Sequence, residues 1–302
     1  MVRFTLRQCT YFRAVAERGG IAQAARALNI SQPSVAQAIE KLEAVTGLTL
    51  FERHHARGVT LTLQGRAFLD HVLTLEAQAE QVAREAAALA AESSGEIRLG
   101  CFYTLAPFYL AGLMQAHGKA FPGIRVRPSE SSLPGLAEGV RDGSLDLAIT
   151  YDLGADLSDL ERVELRRLKP EVVIGADHPL AKSEAVRLKD LAGEPYVMFD
   201  GPGSRDYFEA LLAEIGISPP IAHASTSLEG VRSAVGNGLG FTLLVMRPQG
   251  DRTYDGKRVK VLPIRDRVPP LGIVMALRRR EHESLLIRRF VAEAEAYFRG
   301  VK

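Results

Sequence analysis

The sequence predicts an α/β protein built in series: an N-terminal winged helix-turn-helix, a long linker helix and a C-terminal α/β domain of two lobes. Three observations carry this. Residues 1–65 contain short amphipathic runs divided by polar breaks, residues 66–91 contain neither Gly nor Pro, and from about residue 95 apolar strand-like runs alternate with helical ones. A chain of 302 residues is also longer than one ordinary core needs. The expected domains are therefore 1–65, 66–91 and 92–302, with one lobe over about 95–163 and 268–302 and the other over about 164–267.

The first segment reads as three helices, "LRQCTYFRAVAER", "IAQAARALN" and "QPSVAQAIEKLEAVTG", then two short strands turning at "HARG". Between the second and third helices lies the break "ISQPS". Ser31 suits an N-cap, and Pro33 is tolerated in a first turn whose N–H groups have no helical partner. Val35, Ala38, Ile39 and Leu42 then face inward, leaving Pro33, Ala36, Gln37 and Glu40 outside. A tight break followed by a helix with a polar outer face is the requirement of a reading helix in the major groove. Gln32 and Gln37 can bond adenine edges, while Ser34 and Lys41 suit phosphates. In the strand pair, Arg53 and Arg57, with His54 and His55 nearby, have the placement of a wing arginine entering the minor groove.

Charge supports this segment as the polyanion contact. Residues 1–65 carry eight Lys and Arg against four Glu, a net of +4, whereas the whole chain is only +2, so the remainder is −2.

In "RAFLDHVLTLEAQAEQVAREAAALAA", Phe68, Leu69, Val72, Leu75, Ala79, Val82, Ala83, Ala86 and Leu89 recur at helical spacing, and Glu80 and Arg84 form an i,i+4 pair. Such a stripe requires a partner surface, which predicts pairing of two copies, or else packing along its own chain. "ESSGE" ends the helix as a hinge. The strand candidates that follow, "EIRLG", "IRVRPSE", "DLAITY", "EVVIGA", "PYVMF", "IAHAS", "GFTLLV", "VKVLP" and "LGIVMAL", alternate with helix candidates and predict largely parallel sheets.

Residues 19–65, "GGIAQAARALNISQPSVAQAIEKLEAVTGLTLFERHHARGVTLTLQG", resemble the DNA-binding segment of the LysR-type transcriptional regulators. The family pattern is met by Ala24-Ala25, Ser31-Gln32-Pro33, Leu42-Glu43, Gly47, Leu50-Phe51-Glu52-Arg53, Leu61-Thr62 and Gly65. Two departures stand out: Gly20 replaces the usual Ser before the alanine-rich helix, and Ala36-Gln37 stand where the family often has Ser-Arg. The resemblance covers essentially the whole chain. It implies a winged domain that binds double-stranded DNA at a partly two-fold promoter site, a linker helix joining homodimers and homotetramers, and a C-terminal domain similar to periplasmic binding proteins.

It also implies a small-molecule effector, often an organic acid, in the inter-lobe cleft. Strand-to-helix joints are where such ligands settle, beside free helix N–H groups. The joints present the hydroxyls of Thr104, Ser131, Ser132, Ser204, Thr226 and Ser227, and Phe102, Tyr103, Tyr151 and Phe199 can wall an apolar part. Capping is the competing use of each hydroxyl. Arg205 is a candidate partner for a carboxylate or for a neighbouring acid, and Cys101 is expected as a buried thiol.

Two other classes compete. An enzyme attached to a DNA-binding domain would need a constellation that is missing: the seven His lack zinc-site spacing, "GNGLG" follows a helix instead of opening one, and no Gly-x-Ser-x-Gly elbow occurs. An architectural DNA-binding protein would not need so large a C-terminal part. No cofactor, metal or membrane partner is expected; with no apolar run long enough to span a bilayer and no signal-peptide core at the amino terminus, the expected location is the cytoplasm.

Overall fold

The computed structural model describes residues 3–54, 58–90, 95–153, 157–201, 203–279 and 285–301. The chain forms two compact units, one of residues 1–90 with 142–144 and one of the remainder.

In the first unit, α1 (Leu6–Arg18) opens on Thr5, whose hydroxyl accepts from the Gln8 N–H while the Gln8 side chain returns to the Thr5 N–H. It ends at Gly19, φ 69°. Helix α2 (Ile21–Leu28) starts from Gly20 with no side-chain cap and stops at Asn29 in the left-handed region. Then α3 (Gln32–Thr46) starts on the Ser31 cap, with Pro33 in its first turn, and terminates at Gly47, φ 71°. Phe12, Val15, Ala24, Ala25, Val35, Ile39, Leu42 and Leu50 close the core. Of the four positions expected to face inward on α3, only Ala38 remains partly exposed.

The hairpin of β1 (Phe51–His54) and β2 (Gly58–Leu61) is antiparallel. Gly58 has φ +86°, and a Cβ there would lie 2.4 Å from the Gly19 carbonyl oxygen, which accepts from Val59 N–H at 3.2 Å. A glycine thus lets the wing lie directly on the α1–α2 turn. Helix α4 (Leu63–Ala90) begins three residues before the expected start, because the Thr62 hydroxyl accepts the Gly65 N–H at 2.8 Å and caps it. A Cβ on Gly65 would meet the Leu50 carbonyl oxygen at 2.1 Å, so this glycine is a close-packing residue inside the first turn, not a break. Along α4 the apolar stripe divides in use. Phe68, Leu69, Val72 and Leu75 pack on the unit's own core, whereas Val82 is 68% exposed.

The second unit contains a five-stranded sheet in the order β4-β3-β5-β12-β6, formed by β3 (Gly95–Phe102), β4 (Ile124–Ser131), β5 (Leu147–Tyr151), β6 (Glu161–Leu168) and β12 (Leu271–Leu277). Helices α5 (Ala106–Ala120), α6 (Leu133–Asp142) and α9 (Leu285–Gly300) belong to this lobe and contribute to its core, which includes Leu99, Leu113, Leu136, Ile149, Met275 and Phe290. The second lobe holds β7 (Glu171–Gly175) between β10 (Thr242–Leu244) and β11 (Val259–Pro263), and pairs β8 (Tyr196–Phe199) with β9 (Ile221–Ser225). Helices α7 (Ser204–Ile215) and α8 (Leu228–Gly236) pack on a separate core with Ile174, Val197, Phe208, Val231 and Phe241.

Three expectations are corrected. The sheets are not largely parallel: β3 is parallel to β4 and β5, and β8 to β9, but β12 is antiparallel to β5 and β6, and β10 and β11 are antiparallel to β7. β11 and β12 follow another strand with no crossover helix immediately before them, and such strands are free to pair in the opposite sense; β10 follows α8, so a preceding helix does not by itself fix strand direction. Strand β6 was not expected at all, since five of the eight residues in "ERVELRRL" are charged. It is a sheet edge, where charged side chains project to water and guard against further pairing. With β6 in the first lobe and β7 in the second, the chain crosses between Leu168 and Glu171, a few residues later than expected.

Candidate functional sites

On α3, Gln32, Pro33, Gln37, Glu40 and Lys41 are exposed, a continuous polar face opposite the buried Val35, Ile39 and Leu42. Ser31 is mainly structural: its hydroxyl accepts from Ser34 N–H at 3.3 Å and pairs with the Ser34 hydroxyl at 2.6 Å. Ser34 therefore remains exposed with its hydroxyl tethered to the cap. Glu43 faces away from this surface and accepts from Leu50 N–H at 2.7 Å, fixing the chain that enters the wing. Arg57 lies outside the described residues, as do His55 and the side chains of Arg53 and His54; the Arg53 backbone pairs with Val59 in the hairpin. Arg13 is not part of the free positive charge, because Glu17 and Glu76 hold its guanidinium at 2.9 and 2.6 Å.

The second site is the cleft between the two lobes of the second unit. Tyr103, Tyr207 and Val245 each pack against both lobe cores. Tyr103 has room because residue 201 is glycine: a Cβ there would lie 2.3 Å from the tyrosine oxygen. Of the ten side chains expected at this site, Thr104, Tyr151, Phe199 and Ser204 line the pocket. Tyr103 stands beside it across the lobes, whereas Phe102 is fully buried in the first-lobe core, 4.6 Å from the Tyr103 ring centre. Ser131 ends β4 and Ser132 precedes α6, and neither lines it. Thr226 is exposed, and the exposed Ser227 caps α8 by accepting the Gly230 N–H at 3.1 Å.

Sequence reasoning missed the apolar majority of the lining: Leu153, Tyr207 and Phe208 of α7, Leu228 of α8, Leu244, Val245 and Met246 at the end of β10, and Leu271 of β12. "DYF" and "LLVM" read as ordinary core, and no local pattern distinguishes a core residue from one lining a closed cleft. The free volume is about 20 Å³, on the order of one water, so the lobes are closed on one another.

Among the described residues, no Arg, Lys, His, Asp or Glu lines the pocket. The N–H groups of Ser204 and Arg205 already bond the Gly201 carbonyl, at 2.9 and 3.3 Å. Arg205 is held by Asp200 and Glu209, both at 2.9 Å. The expectation of an organic-acid ligand, which rested on free N–H groups and a cation at these joints, is therefore not supported by the lining. Two hydroxyls in or beside the cleft, Tyr103 Oη and Tyr207 Oη, are buried without a hydrogen-bond partner, and Thr104 Oγ1 has only the Tyr151 hydroxyl within reach. Thr104 is only 7% exposed. Burial pushes the Tyr207 phenol up to about 12 and raises those of Tyr103 and Tyr151, Thr104 tempering the last. Cys101 is fully buried and its thiol is pushed up to about 12 by burial and then by Glu130, which disfavours a reactive thiolate.

Two family descriptions match and together span nearly the whole chain: "Bacterial regulatory helix-turn-helix protein, lysR family" over residues 6–66, and "LysR substrate binding domain" over residues 90–299. The chain belongs to the LysR family of transcriptional regulators. The HTH-type transcriptional regulator CysB of Burkholderia cenocepacia is 30% identical over 243 residues, covering 79% of this chain and 78% of CysB. Among solved structures, the LysR family transcriptional regulator HinK of Pseudomonas aeruginosa is 35% identical with a TM-score of 0.65, covering 97% of this chain and 98% of HinK. Full-length CbnR, solved with its target DNA, shares the fold at a TM-score of 0.72 and 22% identity, covering 97% of this chain and 100% of CbnR. This LysR-type chain is thus a transcriptional regulator with a helix-turn-helix and a substrate-binding domain, and its relatives are regulators, not enzymes. Among its described residues, no cluster of His, Cys, Asp or Glu is placed to hold a metal, and no helix is long and apolar enough to cross a membrane.

Proposed function

We propose that this LysR-type regulator binds promoter DNA as a homo-oligomer, a dimer and then a tetramer, each pair of winged domains reading a partly two-fold site, and that a small molecule between the lobes alters that binding. The exposed polar face of α3 on a Ser31-capped helix carries the reading. Gln37 and Gln32 read base edges, Lys41 and Ser34 meet phosphates, and Arg53 and Arg57 act from the wing. The closed two-lobed cleft supports ligand response, since a ligand shifts such an assembly by as much as its differential affinity for the two arrangements. CbnR solved on its target DNA supports the DNA role by likeness of fold.

Fluorescence anisotropy of the purified protein on DNA from upstream of its own gene, against scrambled DNA over a salt series, tests the reading. Tighter binding to the native sequence with a steep salt slope is expected. Equal binding to both would favour an architectural protein, and no binding at low salt would end the DNA assignment. Arg53→Ala should weaken both DNAs alike and reduce the salt slope by about one.

A further inference from the structure

Taking the cleft as the effector site, we propose that it recognises an uncharged, mostly apolar small molecule carrying one hydrogen-bonding group. The lobes meet through apolar surface from both sides: Leu153 and Leu271 of the first, Phe199, Phe208, Leu244 and Met246 of the second. With a free volume of only about 20 Å³, a ligand enters by parting the lobes at Tyr103, Tyr207 and Val245. Parting them exposes that surface to water, and an apolar ligand covers it again. A carboxylate would leave the surface wet and lose its own hydration with no cation among the described residues of the lining to compensate.

At the α7 terminus beside Ser204, the usual remedy for an anion is also taken up. At the start of α7 the Ser204 and Arg205 N–H groups bond the Gly201 carbonyl, Asp206 places a negative charge in the first turn, and the Arg205 guanidinium is shared by Asp200 and Glu209. What the pocket offers a polar atom is hydroxyl groups. Tyr207 Oη lacks a partner, and Thr104 Oγ1, on a side chain more than nine-tenths buried, has only the Tyr151 hydroxyl within reach; buried hydroxyls of this kind are ordinarily satisfied. One donor or acceptor on the ligand fills that requirement, as in pockets where a few polar groups orient an apolar body.

The chain contains no Trp, so indole fluorescence can be followed directly on the full-length protein. Indole and indole-3-carboxylate differ by one carboxylate and serve as the probes, with ligand anisotropy giving each affinity. Indole should bind at least tenfold more tightly. Thr104→Val should weaken indole about fivefold by removing its partner. Met246→Lys, which places a cation in the lining, should shift the preference toward the carboxylate. Thermal melts of both variants check folding, and the Thr104→Val and two-probe comparisons stand if Met246→Lys does not fold. Tighter binding of the carboxylate to the unaltered protein, binding of neither probe at millimolar concentration, or indole affinity indifferent to Thr104→Val would each overturn the proposal. Failure of the broader reading is separate and is read on labelled promoter DNA: there, no ligand of either charge class would alter affinity, whichever probe the cleft prefers.

Discussion

Gln37 and His117 illustrate two kinds of polar side chain, one left outside a core and one held within it. Gln37 contributes nothing visible to the packing of its unit, being exposed on α3. Replacing it with Ala should therefore leave the thermal midpoint unchanged and lower the preference for native over scrambled DNA by about 1–3 kcal/mol, the range of one bidentate base contact. Equal losses on both DNAs, measured by anisotropy, would remove it from the base-reading set. His117 is only 1% exposed, tilted against Phe121 and edge-on to Phe290, and neither ring nitrogen has a hydrogen-bond partner. Burial lowers its pKa from 6.5, with Glu293 opposing the shift. The fold thus holds the ring neutral while the unfolded chain takes a proton below about pH 6.5. Stability from this residue is complete above that pH and falls as pH drops toward the folded-state value. His117→Leu, close in volume, should flatten this acid limb in urea melts between about pH 5 and 7, and raise stability at neutral pH by on the order of 1 kcal/mol through removal of unsatisfied polar atoms. An unchanged limb would mean that other groups set it. Hydroxyls were the least legible residues: "SLEG" and "ISQPS" name helix starts well, but a sequence does not reveal whether a serine there is spent on its own helix, as Ser227 and Ser31 are, or turned to a ligand.

At the scale of elements, periodicity identified what depends on side-chain spacing and missed what depends on direction and edge position. The three helices, the wing strands, α4 and most strands of the lobes follow from apolar spacing, because burial imposes that spacing directly. Strand direction does not, since parallel and antiparallel strands bury the same alternation, and β6 was hidden by the charges that an edge tolerates. Helix α4 shows the same limit. Its stripe was legible over 68–89, but only the fold divides it into Phe68 to Leu75, spent on the core, and the exposed Val82 beyond. If the second half is the seam between two copies, Val82→Glu inserts a charge into it. Sedimentation should then show dissociation to smaller species at concentrations where the unaltered chain is associated, with a matching loss of affinity for the two-fold DNA site. Val82→Leu should retain association, and indifference to both changes would place the seam elsewhere.

At the scale of the whole molecule, two units with separate cores are joined at Ala90 and Ala91, and one unit carries two lobe cores of its own. Residues 91–302 contain the closed cleft and every strand of its three sheets, so this segment has what a domain needs to fold alone. A fragment starting at Ala91 should unfold cooperatively, retain its secondary structure by circular dichroism and bind indole as the full chain does. It lacks α4, however, and with it the seam proposed for association. Mass action then separates the two proteins: an associated chain becomes apparently more stable as its concentration rises, and a monomer does not. The midpoint of the full chain should increase over a hundredfold range of concentration, while that of the fragment should stay nearly constant. A fragment with the full concentration dependence would show that the lobes, not α4, hold the oligomer together. A fragment that failed to fold would show instead that the unit depends on the N-terminal segment, and the division at residue 90 would mark a connection inside one cooperative structure.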